Sequence, residues 1–295
     1  MEIILLPISM AACLLAGVLG KVFITAFGSN QRLYHLFNII ISAGSALALF
    51  VISGGFKVSP FTVYLGLLFG IITAVNKICS LQAMDCGPYS YTAVITSLST
   101  IIPTLSGKFI WGEEIVAVQY VGIALMLVCI ILSVNFKEKQ KSVPFKWYIF
   151  CFLTFVTTGS IGVMQRWHQS TEYKNELDEF LVIAFICSTI TSVIGYFISK
   201  NKAEKEYKIN SKGIAMIIVF GIISAFCVAA NNKLNLYLSG VMDTAVFFPV
   251  VNGGGLVLTS VAAFVIFREK LSLQKWIGLI IGILSVILIC NPFGS

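Results

Sequence analysis

Apolar residues run along this chain in long unbroken blocks separated by short polar stretches. The blocks do not alternate with a period of two, and blocks of about 20 apolar residues have the length of a helix that crosses a bilayer. Ten segments of this kind can be read: 3–27, 33–53, 61–84, 89–110, 117–135, 146–166, 179–199, 212–238, 243–267 and 274–291. The pattern therefore predicts an all-α integral membrane protein with ten transmembrane helices. A barrel fits poorly, because its strands would alternate lipid-facing and lumen-facing side chains. The first segment has no basic lead (Met1-Glu2-Ile3) and extends to Phe27, so it reads as a span and not as an export signal.

The pattern also recurs. Asn76-Lys77 is answered by Asn232-Lys233, Glu113 by Glu269, Tyr120 by Trp276, Gly122 by Gly278 and Asn135 by Asn291, all at an offset of 156. Phe-Gly-Ile-Ile-Thr-Ala at 69–74 echoes Phe-Gly-Ile-Ile-Ser-Ala at 220–225 at an offset of 151, which requires a short indel. Such a recurrence predicts an internal duplication. It gives a first five-helix repeat at 1–136, a cytoplasmic linker at 137–145 and a second five-helix repeat at 146–295. An odd number of spans per half places the two copies in opposite orientations.

Composition agrees with the pattern: 58% of residues are hydrophobic and 11% charged, with mean hydropathy +0.94, far more apolar side chain than a soluble core of this length uses. The loops after spans one, five, seven and nine hold thirteen basic residues: Arg32, the lysines within 137–146 and 200–212, and Arg268, Lys270 and Lys275. The opposite loops hold Lys57, Lys108, Arg166 and Lys174. Basic short loops stay cytoplasmic, so both termini are expected outside the cell membrane. The net charge of +7 follows from those loops, and no nucleic-acid partner is expected.

Candidate chemistry is sparse. The cysteines form no Cys-x-x-Cys pair, and most sit inside apolar spans as small hydrophobes. His35 and His168 lie at span edges, far apart, and neither is read as a ligand. No nucleophile elbow, phosphate loop or paired carboxylates deep in a span are present, so no enzyme activity, metal or cofactor is expected.

What stands out is charge inside the bilayer: Lys21, Lys77 and Lys233 fall within spans. Lys77 precedes Asp85 by eight residues, about 12 Å of helix, and a lysine at a span centre costs at least about 2.5 kcal/mol, so it should face a cavity or a partner. One alternative is neutralisation by an acid of the same bundle, Asp85 or Asp243, or snorkelling to the interface. The functional alternative is that Lys77 and Lys233, with Asn76, Asn231 and Asn232, line a polar cavity that holds a carboxylate or phosphate. Helix-disrupting chemistry recurs in spans four (Ser97, Ser99, Thr100, Pro103, Gly107) and nine (Pro249, Asn252, Gly253 to Gly255). Matching breaks in two halves point to a midplane binding site, and small residues alternatively permit close helix packing. Tyr91, Ser97, Phe248, Asn252 and Lys21 complete the candidate substrate-binding set.

Gly87 with Thr92-Ala93-Val94, and Gly240 with Thr244-Ala245-Val246, each precede a Glu at a loop and a final Gly-containing helix. With Trp111-Gly112-Glu113 and Gln119-Tyr120-Val121-Gly122, and Phe267-Arg268-Glu269 and Trp276-Ile277-Gly278 in the second half, the chain resembles the EamA-type branch of the drug/metabolite transporter superfamily over nearly its whole length. The resemblance implies a ten-helix secondary carrier with two inverted five-helix repeats and a central cavity lined by spans three, four, eight and nine. It also implies termini in the cytoplasm, the reverse of what the charge count predicts. In the small four-helix relatives a membrane-embedded Glu of the first span handles protons and cationic drugs. Here that span carries Lys21 and no interior acid, which favours an anionic or zwitterionic metabolite, such as an amino acid, over a cationic drug. The functional expectation is secondary transport of a small-molecule solute across the lipid bilayer by alternating access, as a monomer or a homodimer. A multidrug or cationic-solute exporter and a membrane-embedded transferase are the alternatives.

Overall fold

The computed structural model describes residues 2–27, 31–86, 89–132, 144–200, 211–265 and 273–290. These residues form eleven α-helices and, among them, no strand. In chain order they are α1 (Glu2–Phe27), α2 (Gln31–Ile52), α3 (Pro60–Cys86), α4 (Tyr89–Leu98), α5 (Ile101–Trp111), α6 (Ala117–Leu132), α7 (Phe145–Gln169), α8 (Leu177–Lys200), α9 (Ser211–Val241), α10 (Thr244–Val265) and α11 (Leu273–Cys290).

Local chemistry sets several of the helix ends. Ser59 precedes Pro60 at the first position of α3, and its Oγ accepts the Thr62 N–H at 3.2 Å, the pairing of a serine cap with a proline that has no donor to leave unsatisfied. α5 stops at Gly112, which adopts φ 68°, and the Glu113 N–H donates back to the Gly107 carbonyl at 3.1 Å. Only glycine enters that left-handed conformation without a Cβ penalty.

Five described helical stretches are long and apolar enough to cross a membrane: Arg32–Ile52, Pro60–Ser80, Phe145–Gln169, Leu177–Ile198 and Gly213–Val241. Ile4–Gly20, Ala117–Leu132 and Trp276–Cys290 are shorter apolar helices. Span four is not one helix. At Ser99 and Thr100 the ladder tightens to bonds three residues back, N–H groups and hydroxyls alike donating to the Thr96 and Ser97 carbonyls, while Thr100 keeps right-handed helical dihedrals. Span nine, expected to break in the same way, is the continuous helix α10 despite Pro249. Pro249 lies one turn past the donors that a helix start leaves free, so it removes one intrahelical bond without ending the helix. Gly253 there serves packing, since a Cβ would overlap the Met126 side chain of α6.

The chain forms two compact units. One comprises 3–74 and 168–237, the other 75–167 and 238–295, so each draws on both halves of the sequence. In the first, α2 packs along α8, and small residues set the spacing. A Cβ on Gly66 or Gly70 of α3 would meet Ile183 at 3.2 Å or Cys187 at 2.6 Å on α8, and one on Gly44 of α2 would meet Ala225 of α9 at 2.8 Å. Ser45 Oγ donates to the Ala225 carbonyl at 2.9 Å. Close backbone approach increases the dispersion contact between these helices. Phe23, Leu33, Phe37 and Ile217 form a buried cluster there, with Phe23 and Phe37 stacked at 4.2 Å.

In the second unit α6 packs along α11, and α10 lies against both α5 and α11. Ser285 Oγ donates to the Gly122 carbonyl at 2.7 Å, which the absence of a side chain on Gly122 permits: a Cβ would meet Ile289 at 2.7 Å. Gly162 of α7 similarly admits Pro103 of α5 and Phe248 of α10.

Candidate functional site

The expected site residues divide between the two units. In the second, Asn76 sits on α3 facing a threonine-rich stretch of α7. Its Nδ2 donates to Thr158 Oγ1 at 2.6 Å, Thr157 Oγ1 at 2.9 Å and the Thr154 carbonyl at 3.2 Å. An amide has two N–H donors, so three acceptors share them and hold the group firmly. Lys77 follows on the same helix, half-buried.

Ser97 is half-buried at the end of α4, with its carbonyl taken by the Thr100 hydroxyl. Phe248 is buried, edge-on to Phe247 at 4.9 Å. Asn252 is exposed. The side chains of Lys21, Tyr91 and Asp85 lie outside those described, as do the backbones of Asn135, Arg268, Glu269 and Asn291.

The same unit contains a polar network centred on Glu113. Glu113 Oε2 accepts the Thr244 N–H at 2.7 Å and the Thr244 hydroxyl at 2.6 Å, while Oε1 accepts Arg166 Nη2 at 3.0 Å. Arg166 Nη1 donates in turn to the Ser239 carbonyl at 2.7 Å and the Met242 carbonyl at 3.3 Å. The carboxylate thus lies on the first residue of α10, where the helix dipole and unpaired N–H groups favour an anion, and the guanidinium gathers carbonyls from the end of α9. Both side chains are largely buried, 14% exposed for Arg166 and 6% for Glu113. Sequence reading counted Arg166 as an outer-loop cation and Glu113 as a loop acid. An acid and a base of opposite sign, each within a helical turn of an apolar span, were the available signal.

In the first unit Lys233 of α9 does meet an acid, though neither Asp85 nor Asp243. Its Nζ lies 2.7 Å from Asp178 Oδ2, in the first turn of α8. The hydropathy pattern puts Asp178 in or beside a loop, and the structure puts it inside the helix start. Asn231 donates to the Ser9 carbonyl at 2.9 Å and to Ser9 Oγ at 3.0 Å, and Ser9 Oγ donates to Asn235 Oδ1 at 2.5 Å, so α9 is tied to α1. Asn232 donates to the Val228 carbonyl of its own helix. Lys233 also lines an apolar cavity of about 620 Å³.

A second network in this unit ties the loop before α8 to the start of α3. Glu176 Oε2 accepts the Ser59 N–H at 3.0 Å and the Ser59 hydroxyl at 2.7 Å, and Thr62 Oγ1 lies 3.4 Å from His168 Nε2. Burial works to raise the Glu176 carboxyl. Hydrogen bonds from Thr62 and from the Ser59 hydroxyl and backbone outweigh it, with a smaller contribution from His168, and hold it below the usual carboxylate range. Among the described residues no group of three or more His, Cys, Asp or Glu could hold a metal ion.

Together these features define an all-helical protein with several helices apolar enough for a membrane and its polar groups tied between helices. No family profile matches the sequence, and no curated protein does. A solved structure described only as "Crystal structure of protein" is similar to it at 13% identity, with a TM-score of 0.67 over 97% of this chain and 98% of that one. At that identity the likeness is one of fold.

Proposed function

We propose that this chain is a multi-pass membrane carrier of a small anionic or zwitterionic metabolite, with ten spans in two inverted five-helix repeats that work by alternating access. The observation that carries the reading is the choice of packing partners. Helices that the duplication makes counterparts lie on one another: α2 on α8 in one unit, and α5 on α10 and α6 on α11 in the other. Elements near a pseudo-two-fold axis in the membrane plane behave in this way.

Polar contacts follow the same exchange. Asn76 on the third span of the first half reaches the first helix of the second half, and Asn231 on the third span of the second half reaches the first helix of the first. In this reading α4 and α5 form one interrupted span. Its tightened turn at Ser99 and Thr100 keeps the backbone groups hydrogen-bonded, as membrane depth requires. The EamA-type motifs in the two halves fit the same account.

In this reading Lys77, an intramembrane cation beside Asn76 on α3, contacts the solute. A lysine there repels a cationic drug, which weighs against the exporter alternative. The transferase alternative needs a reactive outer-loop carboxylate, and Glu176 is taken by the start of α3. Thermal unfolding of the purified protein across a metabolite panel tests the proposal, because a ligand that binds only the folded state raises its apparent stability. Stabilisation by carboxylates or phosphates supports it. Stabilisation by amines alone would overturn the charge assignment.

A further inference from the structure

Thr154, Thr158 and Gln165 recur along α7 at steps of four and seven residues, so they share one face of the helix. Thr158 meets the Asn76 amide of α3 on that face. Gln165 stands two turns, about 10 Å, closer to the Arg166 end. It is 8% exposed, and among the described residues its amide has no hydrogen-bond partner. Thr154 Oγ1, one turn on the other side of Thr158, is also buried without a partner. Native proteins rarely leave buried polar groups in this state, because a group that loses water and gains no bond is destabilising.

The helices beside this face keep a common register. Glu113 joins Arg166 of α7 to Thr244 of α10. One turn along α7, Gly162 adjoins Pro103 of α5 and Phe248 of α10. A further turn brings Thr158 level with Asn252 of α10. Asn252 is exposed well inside its helix, and its amide likewise has no hydrogen-bond partner among the described residues. An amide at that depth in a span belongs on the wall of a polar space and not against lipid. All of these residues lie within the second unit.

The chemistry at the Gln165 end is narrow. Its neighbour Arg166 is paired with Glu113, so the charge there is already matched. A carboxamide is itself uncharged and presents two N–H donors and a carbonyl acceptor. It suits a hydroxyl or carboxamide of a ligand and offers no counter-charge to a second acid. Lys77, next to Asn76 on α3, supplies the cation at the level of Thr158.

We infer that Gln165 determines specificity in the solute site, hydrogen-bonding an uncharged hydroxyl or carboxamide of a solute whose acid group is held at Lys77. The inference rests on the carrier reading above and adds the second group that the solute must bear. Apparent affinities are read from thermal unfolding of the full chain in detergent, titrated with serine, alanine, glutamine, norleucine and glutamate.

Wild type is expected to prefer serine to alanine, or glutamine to both norleucine and glutamate, by about three- to tenfold, the scale of one neutral hydrogen bond. Q165M keeps the side-chain length and should erase that preference. Its unfolding temperature without ligand should equal or exceed that of wild type, because an unmatched buried amide is gone. A merely structural glutamine would give the opposite pattern, lower stability with the preference intact. Q165L reads the same quantities if Q165M does not fold, and the wild-type preference needs no variant. Equal binding within both sets by wild type, a preference that survives the substitution, or a loss of ligand-free stability would each overturn the assignment. Binding of no panel member, together with no counterflow of any, would refute the carrier reading itself and the assignment with it.

Discussion

Replacing Glu113 by Gln probes the network that joins α5, α7 and α10. The substitution preserves shape and removes one negative charge, so Arg166 loses its counter-ion and the start of α10 loses its anion. At 14% and 6% exposure the pair is screened little by water, and removing one partner of a buried pair costs about 3–5 kcal/mol because the other charge stays behind uncompensated. The Thr244 N–H and hydroxyl share one oxygen at 2.7 and 2.6 Å, and the glutamine amide oxygen can keep both contacts only by turning its NH2 toward Arg166. T244V, which removes the hydroxyl alone, should cost less, about 1–3 kcal/mol.

The assay is equilibrium or thermal unfolding in detergent of E113Q, R166M and the double variant. If the two side chains act as a pair, the double variant loses clearly less than the two single losses added. Strict additivity, or an E113Q loss below about 1 kcal/mol, would refute the claim that this pair organises the second unit.

Other outcomes follow from the same contacts. N76L should destabilise the protein by about 1–3 kcal/mol, since it strands the α7 oxygens that Nδ2 now serves, measured by the same unfolding assay. G107A should be worse tolerated than an alanine at Gly17, because a Cβ at Gly107 would overlap Thr244 and Glu113 while Gly17 has open space. Glu176 gives a pH signature. Its folded-state carboxyl is held below the ordinary value, so its contribution is complete above the unfolded pKa of about 4.3 and is lost as pH falls through the folded value. E176Q should therefore flatten the acid limb of the stability profile relative to wild type, and an unchanged limb would count against the assignment.

The helices were legible because apolar blocks in this chain are continuous and polar breaks are short, so boundaries fell close to where the backbone turns. Ser97, Ser99, Thr100 and Pro103 marked the interruption between α4 and α5 correctly, through hydroxyls that compete for backbone carbonyls. Pro249 and Gly253 carried the same signal and misled, because α10 continues through the proline at the loss of one backbone bond and the glycine answers to Met126 across a helix interface.

Partners of opposite charge were the least legible part. Lys233 and Asp178 are 55 residues apart, and Arg166 and Glu113 are 53 apart. Nothing in hydropathy or spacing ties two such groups until helices are packed. The importance of Asn76 could be read from its repeat, yet the role itself could not: its amide holds two helices together.

Solute counterflow in proteoliposomes tests the central claim most directly. Vesicles containing the wild-type chain and loaded with unlabelled anionic or zwitterionic metabolite should accumulate labelled metabolite transiently, and K77A should reduce that uptake by at least about tenfold, the scale of losing one charge-assisted contact. Uptake no greater than in protein-free vesicles across the panel, or a K77A variant as active as wild type, would contradict the account.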